Sequence, residues 1–130
     1  MYKTLIWGRD FELKVVYDCY AGEEILPLQK DAFEEFSNNA ELLSSSLSDV
    51  KKYCIEENQD DIGSDQIENI FKYVMPESIY VKRDGRVALI CRYKFDAEHG
   101  IAVVFNGGKL EEVGSQDIET IIPSRRLFYV

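Results

Sequence analysis

Arg86-Val87-Ala88-Leu89-Ile90-Cys91-Arg92-Tyr93-Lys94-Phe95 decides the fold class. Val87, Leu89, Cys91, Tyr93 and Phe95 alternate with Arg86, Ala88, Ile90, Arg92 and Lys94, the two-residue period of a strand with unlike faces. Asp84-Gly85, just before it, is a hairpin turn that makes Ser78–Lys82 an antiparallel neighbour. Downstream, Asp96-Ala97-Glu98-His99-Gly100 reads as a tight connection, and Ile101–Phe105 as a nearly continuous apolar strand. Asn106-Gly107 is a second hairpin signal, returning the chain as Lys109–Val113.

Upstream the same period recurs and then changes. Lys3–Trp7 is a short strand, Gly8-Arg9-Asp10 a turn, and Phe11, Leu13, Val15 and Tyr17 alternate with Glu12, Lys14, Val16 and Asp18. Ala21-Gly22 and Pro27 end that strand signal. From Gln29 to Glu57 the apolar spacing becomes helical. Ala32, Phe33 and Phe36 mark one face of a first helix, and Asn39 is placed to cap a second carrying Leu43, Leu47, Val50 and Cys54. Ser44, Ser45 and Ser46 weaken this helix by propensity, which packing overrides. Asn58–Asp65 reads as an acidic loop, and Gln66–Val74 as one more short helix ended by Met75-Pro76. Arg125–Val130 reads either as a last strand or as a tail. Helices grouped between runs of strands imply an α+β class: an antiparallel sheet of about five to six strands, with two to three helices inserted after the first hairpin and packed on one face. The whole of residues 1–130 is read as a single domain with its helical insert at about 29–74.

Composition narrows the function classes. The chain has 130 residues with 45% hydrophobic and 30% charged content, the make-up of a folded domain of about 100–200 residues. A net charge of −9 argues against a nucleic-acid partner, which is held by clustered Lys and Arg. The three apolar residues Leu5-Ile6-Trp7 fall short of the ~7–15 of a secretory core, and no run approaches the ~18 of a membrane span. Cys19, Cys54 and Cys91 are odd in number and widely spaced, which fits reduced thiols in a cytoplasmic protein. Nucleotide-binding glycine loops and the G-x-S-x-G nucleophile turn are absent. Matching Asn58–Asn69 to a calcium loop leaves Ile62 and Asn69 where ligands belong, so no dedicated cation site is expected there, only adventitious binding. No cofactor, metal or catalytic residue is expected.

Charge is unevenly shared along the chain. Residues 21–70 carry 13 acidic and 3 basic side chains, a net of −10, and the other 80 residues carry a net of +1. Glu34, Glu35, Glu41, Asp49, Glu56, Glu57, Asp60 and Asp61 make up most of the excess. Helices that turn their apolar stripes to a sheet send such carboxylates outward, where their field can steer a basic partner or simply keep the domain soluble. Arg86, Arg92 and Lys94 share one face of their strand, giving either a cationic stripe or an ordinary solvent-facing sheet surface. Asp96, Glu98 and His99 are the nearest approach to a catalytic or ligand-holding group. Adjacent strand residues point apart, so they converge only if the chain bends sharply there. In the plainer reading Asp96 bonds turn amides, Gly100 supplies a positive φ, and His99 donates to a main-chain carbonyl.

Phe95-Asp96-Ala97-Glu98-His99-Gly100-Ile101-Ala102-Val103, with Val113-Gly114-Ser115-Gln116-Asp117 and the start Trp7-Gly8-Arg9-Asp10-Phe11, resembles a group of small bacterial domains of unknown function. These share an aromatic-Asp-x-Glu-His-Gly-apolar hairpin and resemble domains found beside polymorphic toxin genes. The resemblance marks Trp7, Asp96, Glu98, His99, Gly100 and Asp117 as motif positions and implies a binding role, such as that of an immunity protein. It transfers no catalytic residue. The expectation is therefore a non-catalytic protein whose acidic helical segment meets a basic partner, such as a toxin. The alternative is a small-ligand or metal-dependent protein or enzyme using Asp96, Glu98 and His99. A third reading is a homo-oligomer formed through strand edges such as Ile101–Phe105 or Leu127–Val130.

Overall fold

The structure, a computed structural model, describes residues 1–19, 22–63 and 66–115, together with the backbone of a strand at 127–129. Strands β1 (Tyr2–Ile6) and β2 (Arg9–Asp18) precede helices α1 (Pro27–Asn38), α2 (Glu41–Ser45) and α3 (Leu47–Ile62). A single 3-10 turn at Ile70–Lys72 leads into β3 (Val74–Val81), β4 (Val87–Tyr93), β5 (Ile101–Asn106) and β6 (Lys109–Gly114), and β7 is Leu127–Tyr129. The strands form one sheet in the order β1-β2-β3-β4-β5-β6, with β7 pairing antiparallel to β2 through Val16–Tyr129 and Asp18–Leu127. Of the C-terminal alternatives, the strand holds for Leu127–Tyr129; residues 123–126 and Val130 lie outside the described residues, as do Tyr20, Ala21, Ser64 and Asp65.

The α+β class holds, but the sheet is mixed. Strands β2 and β3 run parallel, with Lys14 opposite Ser78 and Tyr17 opposite Val81. The helical insert is the reason. A chain that leaves β2, crosses the sheet face as helices and returns beside it must come back in the same direction.

One sheet face meets the helices. Leu13, Val15, Tyr17, Ile79, Val81, Leu89, Cys91, Ile101, Val103 and Phe105 join Phe36, Leu43, Val50 and Cys54 in the main buried cluster. The opposite face is not the open solvent surface that antiparallel sheets commonly present. Val16, Tyr80, Ala88, Ile90, Ala102 and Val104 form a second buried cluster there, with Ala88, Ala102 and Val104 at 0% exposure.

Several local readings need correction. The predicted acidic loop Asn58–Asp65 is helix to Ile62: α3 continues through a kink at Asn58 (φ −137°) and ends on Gly63, whose φ of 72° gives the left-handed helix end. The predicted helix at Gln66–Val74 shrinks to one 3-10 turn, because β3 begins at Val74 and carries Pro76 within the strand. The register against β4 shifts between Pro76 and Ser78, a bulge of the kind that accommodates a proline lacking its N–H. The Asp84-Gly85 turn is a three-residue loop, with Lys82 and Arg86 bonded across it and Gly85 at φ 91°.

Two buried polar side chains hold the helical layer to the sheet. Gln29, fully buried in the first turn of α1, donates from Nε2 to the carbonyls of Asp18 (2.9 Å) and Val81 (3.1 Å), and its Oε1 accepts from the Leu26 amide (2.9 Å). It thereby satisfies carbonyls at the ends of both parallel strands. At the other end of the layer, Ser46 separates α2 from α3. Its hydroxyl donates to the Leu43 carbonyl (2.6 Å) and accepts the indole N–H of Trp7 (3.1 Å). The hydrogen bond to Leu43 offers the backbone an alternative to continuous helix, which explains why the serine run marks a joint. Asn39 does not cap α2; its side chain donates to the Glu35 carbonyl (2.8 Å) at the end of α1.

Candidate partner-binding surface

The apolar stripe of the helices fixes where their carboxylates go. With Phe36, Leu43, Val50 and Cys54 committed to the core, Glu34 and Glu35 of α1, Glu41 of α2, and Asp49, Glu56, Glu57, Asp60 and Asp61 of α3 are all exposed. Among the described residues two of these eight have side-chain partners: Glu56 lies 3.9 Å from Lys52, and Asp61 accepts from the Asn58 amide at 3.1 Å.

Between α3 and β6 the acidic surface folds inward. A groove of about 330 Å³ is lined by Asp49, Lys52, Tyr53 and Glu56 from the helix and by Glu111, Glu112 and Val113 from the strand, so that four carboxylates face it with one cation, Lys52, among them. Glu111 and Glu112 carry carboxylates onto the sheet, Glu112 extending the acidic surface and Glu111 lying 3.6 Å from Arg86. The sequence reading missed them because it confined the negative charge to the helical insert. Their adjacency, Glu111-Glu112 on the last strand of the hairpin series, was the available signal.

The predicted cationic stripe is not free. Arg86 makes a double contact with Asp84 through Nε and Nη2 (both 2.8 Å) and lies 3.6 Å from Glu111, while Arg92 reaches Glu77 at 3.0 Å. Lys94 sits over the Phe95 and Tyr73 rings, with centroids at 5.8 and 6.0 Å. Partial burial pushes the Asp84 carboxyl upward, but hydrogen bonds from the Arg86 side chain and amide, with the Arg86 charge, outweigh it and hold Asp84 below its ordinary 3.8.

In the β4–β5 connection, Asp96 and His99 come together and Glu98 does not. Asp96 Oδ1 accepts the His99 amide (3.2 Å) and lies 3.1 Å from His99 Nδ1, and Gly100 has φ 69°. The imidazole thus meets the Asp96 carboxylate through Nδ1. Glu98 is exposed, and the described residues contain no group of three or more His, Cys, Asp or Glu able to hold a metal ion. Gly100 ends the turn with its amide bonded to the Asp96 carbonyl (2.8 Å). Trp7 serves the fold elsewhere, in the β1–β2 turn, and Asp117 lies outside the described residues.

Cys19, Cys54 and Cys91 are buried, and none of them is in a disulfide. Burial raises all three, Cys54 to about 11, so they stay protonated near neutral pH and lack the thiolate that nucleophilic chemistry needs. Tyr93 is raised by burial and by neighbouring Cys54, and its hydroxyl donates to Asn58 Oδ1 (2.8 Å). No helix among the described residues is long and apolar enough to cross a membrane.

A family model described as a domain of unknown function (DUF6985) matches residues 2–121. Searches of curated proteins and of solved structures found no match.

Proposed function

The chain belongs to this family of domains of unknown function, and we propose from its own surface that it is a non-catalytic protein-binding domain acting on a basic partner, in the manner of an immunity protein that occludes a toxin. The observation that carries this reading is the imbalance in charge pairing. The eight helical carboxylates are exposed, with one cation within 4 Å among the described residues, whereas Arg83, Arg86 and Arg92 are held by Glu23, Asp84, Glu111 and Glu77. Uncompensated charge of one sign accelerates encounter with an opposite surface and disfavours wrong partners. Exposed pairs contribute only about 0.2–1 kcal/mol each, so tight binding also requires desolvated anchors.

The test is association with the product of the neighbouring gene, measured at low and high salt. The expected result is a complex whose association rate falls with ionic strength and which is lost when Asp49, Glu56, Glu57 and Asp60 are changed together to Lys. Binding indifferent to both overturns the acidic-face mechanism.

A further inference from the structure

Resting on that reading of a basic partner, the cavity between α1 and two β-turns carries a more specific conclusion. Leu28, Asp31, Ala32 and Glu35 recur at helical spacing on one side of α1 and face the Asp84-Gly85 turn and the Gly107-Gly108 turn across a cavity of about 230 Å³. Phe36, Val87 and Phe105 supply apolar walls, each less than 5% exposed. Both turns use glycine because their backbone enters the left-handed region, with φ 91° at Gly85 and 80° at Gly108, and there is still room for ordinary contact with α1. A Cβ at Gly85 would lie 3.4 Å from Leu28 Cδ1, and one at Gly108 would lie 3.6 Å from Glu35 Oε1. Leu28, at 52% exposure, leaves an apolar side chain at the rim with no core role.

The charges around this cavity are unequal. Asp84 is committed to Arg86, whereas Asp31 and Glu35 take part in no ion pair among the described residues. An apolar chamber topped by two available carboxylates fits an aliphatic stem ending in a cation. Its volume lies below the ~300–1,000 Å³ of pockets for drug-sized ligands, which points to one side chain. We propose that this cavity seats a single arginine or lysine side chain of the basic partner, with its stem against Phe36, Val87 and Phe105 and its head at Asp31 and Glu35. It would then be the desolvated anchor that the exposed acidic face lacks, in keeping with the prevalence of Arg among residues that dominate interfaces.

The experiment titrates the ¹⁵N-labelled full chain with Nα-acetyl-arginine amide, Nα-acetyl-lysine amide and the neutral Nα-acetyl-norleucine amide. Expected are saturable amide shifts at Gly85, Gly107 and Gly108 with at least one cationic compound and none with norleucine. The double variant D31N/E35Q should weaken that binding roughly tenfold, equivalent to ~1.4 kcal/mol, with its remaining spectrum verifying the fold. Shifts that are absent from the three glycines, equal for norleucine, or unchanged in the variant overturn the proposal. The cognate complex separates the two readings. If D31N/E35Q binds it with wild-type affinity while Lys substitutions on α3 abolish binding, the cavity proposal fails and the acidic face stands. If neither change affects the complex, both fail.

Discussion

On the sheet, Arg86 lies between Asp84 and Glu111, Arg92 reaches Glu77 and Lys3 reaches Glu12. On α1 to α3, by contrast, carboxylate follows carboxylate across an exposed surface, with Lys52–Glu56 the ion pair among the described helical residues. The two regions also differ beneath their surfaces. The sheet is held by backbone ladders and two buried apolar clusters, whereas the helical layer adds two polar tethers at Gln29 and Ser46. The contrast teaches that the helices owe their position to the sheet. Their own like charges push them apart, and what keeps them in place is apolar packing plus a few buried hydrogen bonds.

The sharpest way to break that contrast is Gln29→Leu. It removes a buried side chain making three hydrogen bonds and leaves two strand carbonyls and the Leu26 amide unsatisfied. The expected loss is about 3 kcal/mol, measured as a lower urea midpoint. Ser46→Ala comes next. It orphans the Trp7 indole N–H and costs about 1–2 kcal/mol, and an unchanged midpoint would mean the joint does not tether the layer.

Smaller effects distinguish the surfaces. Because Asp84 is held below 3.8 in the folded chain, its contribution is fully present above that ordinary value and is lost as pH falls through the lower folded one. Acid titration of Asp84→Asn should therefore show a shallower fall in stability below pH ~4 than the parent, with the curves parallel above pH ~5. The half-exposed carboxylate is screened, which keeps this effect modest. Least of all, Glu57→Gln should raise stability by a few tenths of a kcal/mol at low salt and change nothing at high salt. Arg92→Gln, from a pair 74% and 54% exposed, should shift the melting temperature negligibly.

Much of the architecture was legible because alternation is local. The β4, β5 and β6 run, both of its hairpins and the inward stripe of Leu43, Val50 and Cys54 follow from spacing alone. Strand neighbours were harder. Nothing in residues 9–18 or 74–81 announces that they lie side by side in parallel, since this depends on how far the helices carry the chain between them. Gln29 passed as a helix-start residue because its partners, Asp18 and Val81, are 11 and 52 positions away. Asp60 and Asp61 were read as part of a loop and lie on α3, whereas the other six of the eight exposed carboxylates followed from the helical period. The α1 cavity did not, since it is made by three segments meeting, and its charged residues look from sequence like any solvated helix face.

Trp7 adopts φ 51°, in the left-handed region that a bulky residue rarely enters, and is only 8% exposed. It is also the one tryptophan of the chain, and its indole is fastened to the joint between two helices. Its fluorescence emission is therefore a built-in gauge of one event, the seating of the helices upon the strands. A red shift that precedes the loss of β-sheet circular dichroism would reveal the layer peeling away while the platform stays whole.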